Sequence, residues 1–188
     1  MRTYLAVLIA ILSFVTAFAD EAVVDLGRVA MITSNLNTTV KDNDRVAVYF
    51  DIPKEVMGKE IVFAELKCLL DFKGFKVEGD PNLDFMAFNI TRQWTQGTDW
   101  KSLSKTGSSD IDTTTFYNYT LTISDTAAIS MDITEFVVDV VEGKVSNCGI
   151  MLVPMKFDDK AFNFPRDFEN VIKKNAKVKI TYHSKEKY

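Results

Sequence analysis

Histidine is almost missing from this chain. The 188 residues hold one, His183, in the closing "YHSKEKY". A histidine-based triad or an imidazole-rich zinc site therefore lacks its parts. There is no G-x-S-x-G, and "TGSSD" at 106–110 is an ordinary turn. Scattered Asp and Glu are all that remains for acid–base chemistry, so the expectation is a protein that is not an enzyme. Clusters of Lys and Arg are also absent. With a formal net charge of -4 the chain has no electrostatic footprint for nucleic acid or an anionic membrane. Nothing has the dense D-x-D-x-D-G spacing of a dedicated calcium loop. Asp51 and Asp132 have the oxygen chemistry that calcium takes, but as turn-forming or capping carboxylates they need no ion. No cofactor is implied beyond that one calcium option.

A long apolar run is missing too. The opening "MRTYLAVLIAILSFVTAFADEAVVD" is apolar from Tyr4 to Thr16. At 1.5 Å per residue this reaches about 20 Å, short of a hydrocarbon core of roughly 30 Å. Arg2 supplies the positive start and Ala17-Phe18-Ala19 the small-x-small cleavage pattern, so residues 1–19 read as a signal peptide ending before Asp20. No cysteine lies near that point to take a lipid. The expected destination is outside the cytoplasm: secreted, at the cell surface, or periplasmic. Residues 20–188 show no repeat, low-complexity tract or linker and read as one domain.

The signal that is abundant is period two. "RVAVYFDI" places Val46, Val48, Phe50 and Ile52 on one face, and "IVFAELKCLLDF" places Ala64, Leu66, Cys68, Leu70 and Phe72 on one face. "YNYTLTI" sets Tyr117, Tyr119, Leu121 and Ile123 against Asn118, Thr120 and Thr122. "KVKITYH" sets Val178, Ile180 and Tyr182 against Lys177, Lys179, Thr181 and His183. Each is a half-buried strand. Turn chemistry at 41–44, 78–82, 95–99, 105–110 and 157–160 separates them. The fold class expected is all-β, an antiparallel β-sandwich or jelly roll with one short helix. That helix is "DITEFVVDVVEGK", with Asp132 or Thr134 as N-cap, apolar residues at three-and-four spacing and Gly143 as the stop.

Several segments, in order, resemble the DNRLRE domain, a family of extracellular β-sandwich modules related to some polysaccharide-binding modules. Its R-x-L-L-x-F-D-L-x-x-x-P strand is matched by "RVAVYFDIPKEV", with Arg45, Phe50 and Asp51 in register. Its A-T-L-x-L strand is matched by "FAELKCLL", and its W-T-E-G-x-x-W corner by Trp94, Thr95, Gly97 and Trp100. Asp132-Ile133-Thr134 stands for its D-V-T, and Asn147, Gly149 and Leu152 for its N-x-G-x-x-L. Pro165-Arg166-Asp167 followed by "VKITY" stands for its closing strand. The likeness spans about 30–183; Gln96, Pro165 and the cysteines depart from the pattern. It implies a non-catalytic sandwich that binds extracellular or cell-surface polysaccharide.

Both tryptophans fall in "RQWTQGTDW". Trp94 shares parity with Phe88 and Ile90 and is expected to point inward; burying an indole stabilises by a few kcal/mol if its N–H finds a partner. Trp100 lies beyond the glycine, where parity no longer constrains it, and is the stronger candidate to stack on a sugar. Cys68 and Cys148 are an even pair for an oxidising compartment, and a disulfide between them would close a long loop worth about 4 kcal/mol. Both equally suit packing as free thiols. Sequons occur at Asn37, Asn89 and Asn118. A second functional reading is a structural subunit of a surface layer or filament. The segment "DEAVVDLGRVAMI" would then add a strand to a neighbouring copy, if it does not pair within its own domain.

Overall fold

The structure, a computed structural model, describes residues 19–32, 45–71, 82–98, 103, 111–122, 126–154 and 168–183. Residues 1–18, which carry nearly all of the expected export signal, lie outside them, as do Asn37 and Trp100. Along the chain run β1 (Asp20–Asp25), β2 (Arg28–Ile32), β3 (Arg45–Tyr49), a 3-10 turn (Lys54–Val56), β4 (Glu60–Asp71) and β5 (Asn82–Ile90). They are followed by β6 (Ile111–Thr122), β7 (Thr126–Asp132), α1 (Thr134–Val141), β8 (Ile150–Pro154), α2 (Phe168–Asn175) and β9 (Ala176–His183).

The strands form two antiparallel sheets. Sheet A has four strands in the order β1-β9-β4-β7, and sheet B has five in the order β2-β3-β8-β5-β6. From β3 onward the chain changes sheet at every connection except the β5–β6 hairpin, which is the winding of a jelly roll. β2 is an added edge strand. The first described strand pairs with the last: Asp20 faces Tyr182 and Asp25 faces Lys177.

Alternation drives the packing between the sheets. In β9, Ala176, Val178, Ile180 and Tyr182 are buried while the residues between them reach solvent to varying degrees. Val46, Val48, Phe50, Ala64, Leu66 and Cys68 join them in one core, as their period predicts. The Phe136 ring from α1 meets Phe50 edge-on at 5.9 Å between centroids. Helix α1 begins between the starts the two expected caps would set, with Ile133 at the cap position. Asp132 still does the capping work: its Oδ1 accepts from the Thr134 N–H at 2.9 Å and the Thr134 hydroxyl at 2.6 Å. The Thr134 hydroxyl oxygen in turn accepts from the Ala64 N–H at 2.9 Å, tying the helix start to β4. Gly143 ends this segment in the left-handed region at φ 74°, as expected.

Two features depart from the sequence expectation. A second helix, α2, precedes β9. Its apolar residues Phe168, Val171 and Ile172 form a single three-and-four spaced set, too short to stand out; of the described side chains Ile172 is buried and Val171 packs on the same core. It covers an edge: the Met31 N–H on β2 donates to Glu169 at 3.1 Å. The other departure is a second core. Ala30, Ala47 and Met151 are cross-strand neighbours on the face of sheet B opposite the sandwich interior, and they are buried with Ile32, Ile90, Trp94, Leu103, Ile111 and Cys148. β3 is consequently buried on both faces, with Val46, Ala47 and Val48 all at 0% exposure.

Candidate functional site

Trp94 is inside, as its parity predicts, in the same cluster as Ile90 and with Phe88 packed against it. It closes the second cluster on the outer face of sheet B, 1% exposed, with its indole N–H donating to the Cys148 carbonyl at 2.7 Å. It therefore offers no face to a sugar, and the corner it occupies is a packed one. Arg28 holds that corner from the rim. Its guanidinium stacks 4.5 Å from the Tyr49 ring centroid and 5.2 Å from that of Trp94. Its edge donates to the Trp94 carbonyl at 2.9 Å and to Gln93 Oε1 at 3.1 Å. Gln93 then reaches the Asn147 carbonyl at 3.2 Å. Thr95 and Thr98 close the turn on each other, each backbone N–H finding an oxygen of its counterpart at 2.9–3.0 Å.

Gly149 explains the tight approach beneath the indole. Its φ is 90°, and a Cβ there would sit 2.2 Å from the Val48 carbonyl oxygen. Asn147 anchors the same stretch by donating to the Phe50 carbonyl at 2.8 Å. The N-x-G spacing is thus the means by which the chain runs close under the corner.

The other sequence candidates resolve similarly. Cys68 and Cys148 are not joined by a disulfide, the packed alternative holding instead: Cys68 sits in the inter-sheet core and Cys148 in the second cluster. Burial pushes the Cys68 thiol up to about 12 and raises Cys148 as well, with Arg28 pulling weakly the other way. Asp51 accepts from the Tyr49 hydroxyl at 2.7 Å; that hydrogen bond, ahead of burial, raises the tyrosine pKa. Asp132 is committed to α1. Among the described residues no group of three or more His, Cys, Asp and Glu is placed to hold a metal ion. Asn89 is 4% exposed with its Oδ1 unpartnered, so this sequon cannot carry a glycan on the folded chain. Asn118 lies on the edge strand β6, opposite Met86.

The sequence reading missed Phe63. In β4 the register shifts between Ile61 and Phe63, a bulge that inserts one residue into the pairing with β9. Ile61 still packs on the core and Ala64 is buried, so both residues between them are sent outward. Val62 is 47% exposed and Phe63 39%. The signal was the unbroken apolar run Ile61-Val62-Phe63-Ala64 at the head of a strand that alternates thereafter. Phe63 lies on the outer face of sheet A, directly across from Thr181, with Glu65 two residues along its own strand. Val23, 65% exposed, is on the same face two strands away, roughly 10 Å across by strand spacing. Among the described residues no helix is long and apolar enough to cross a membrane. No protein-family model and no curated protein matches this chain.

Proposed function

We propose that the chain is an exported, non-catalytic jelly-roll module that binds extracellular or cell-surface polysaccharide on the outer face of sheet A. One observation carries the reading: the bulge in β4 turns an aromatic ring and a neighbouring aliphatic side chain into solvent on a strand surface bordered by polar groups. An exposed ring of this kind offers an apolar plane to the C–H face of a sugar, while the alternating polar side chains meet its hydroxyls. The resemblance to the DNRLRE modules supports the same reading, although its corner tryptophan supplies packing and not contact.

The alternative, strand donation by the segment before residue 33, is disfavoured because both halves of that segment are paired in their own sheets, β1 with β9 and β2 with β3. The test is calorimetry of the purified chain against a panel of extracellular polysaccharides. A saturable isotherm with at least one, weakened tenfold or more by Phe63→Ala at unchanged melting temperature, is the expected result. Silence across the panel, or binding indifferent to Phe63→Ala, overturns it.

A further inference from the structure

The charge pattern around Phe63 narrows the ligand. On this face each lysine of β9 is already neutralised from β1: Lys179 lies 2.6 Å from Glu21, and Lys177 is in contact with Asp25. The hydrogen bond to Glu21 raises the Lys179 pKa. On β4, Lys67 sits 3.7 Å from Glu65, whose other oxygen accepts from the Ser130 hydroxyl at 3.0 Å. Register adds two further carboxylates to the face, Glu60 across from His183 and Asp132 across from Glu65. Among the described side chains, five carboxylates thus share the surface with three lysines. The whole chain leans the same way, at -4.

An anionic polymer arriving here would have to displace a carboxylate from each lysine it used, and would do so against excess negative charge. A second copy of the same face meets the same repulsion. Phe63 and Val62 carry no charge and are not covered by any described residue to below a third of their area. We infer that the ligand of this face is an uncharged polysaccharide, held by stacking on Phe63 and by hydrogen bonds from the surrounding polar side chains. This inference rests on the polysaccharide reading proposed above.

The two are separated by titrating the purified chain with neutral polymers (laminarin, xyloglucan, galactomannan) and anionic ones (alginate, polygalacturonate), each at 50 mM and 500 mM salt. The expected result is binding to a neutral polymer, changing less than twofold between the two salts and falling tenfold or more in Phe63→Ala. Binding confined to an anionic polymer, lost at high salt and still dependent on Phe63, overturns the neutral class while leaving the polysaccharide reading intact. Binding to neither set overturns both. Self-association abolished by Phe63→Ala, seen by sedimentation, replaces the glycan with a second copy.

Discussion

At the scale of the residue, Trp94 and Gly149 set the corner together. Trp94→Ala removes a fully buried indole and is expected to cost about 3–5 kcal/mol. Trp94→Phe keeps most of the volume but strands the Cys148 carbonyl, for about 1–3 kcal/mol. Urea denaturation orders the two, and a Trp94→Phe variant as stable as the parent would mean that the N–H contributes nothing. The thiols make a second expectation. Neither Cys68 nor Cys148 reacts with a disulfide reagent at pH 8 until denaturant is added, because both are buried. Since the folded Cys68 pKa lies above its ordinary value of 9.0, its contribution to stability is complete below pH 9 and lost as pH rises towards about 12. Stability measured across that window should decline less steeply in Cys68→Ala. Burial of Trp94 was legible from parity, but not which core it enters. Its neighbours there include Ala30, Ala47 and Cys148, small side chains that no alternating pattern distinguishes from surface residues.

At the scale of the element, strands with clean alternation declared themselves and the rest did not. β9 and the middle of β4 place their apolar residues inward as their spelling says. β7, "TAAISMD", has too few large apolar residues to announce a strand, yet pairs with β4 over seven residues from Asp132 to Thr126. α2 escaped because it is only eight residues long and its apolar set spans little more than one turn. Phe63 was hidden by a bulge, which shifts pairing by one residue without changing composition. For α1 the expected outcome is specific. Asp132→Ala removes the acceptor serving both Thr134 donors and costs about 0.5–2 kcal/mol, while Asp132→Asn, which retains an oxygen, costs less. Thermal melts of the pair check this; identical losses would assign the effect to charge instead of the hydrogen bond.

At the scale of the whole molecule, one short stretch serves both sheets. Residues 20–32 supply an edge strand to sheet A and then, after Gly27 donates to the Tyr49 carbonyl at 2.8 Å, another to sheet B. Leu26, Val29, Ala30 and Ile32 within it are buried. Deleting 20–33 should therefore abolish cooperative unfolding, as followed by circular dichroism. A truncated chain that melts like the parent would show the stretch to be dispensable and free to pair elsewhere.

Pairing between β1 and β9 has a further consequence, in time and not in space. The ribosome makes residue 20 early and residue 176 late, and β1 has no partner in sheet A until β9 has been made. A growing chain therefore cannot complete this fold, and closure waits for the last strand to be made.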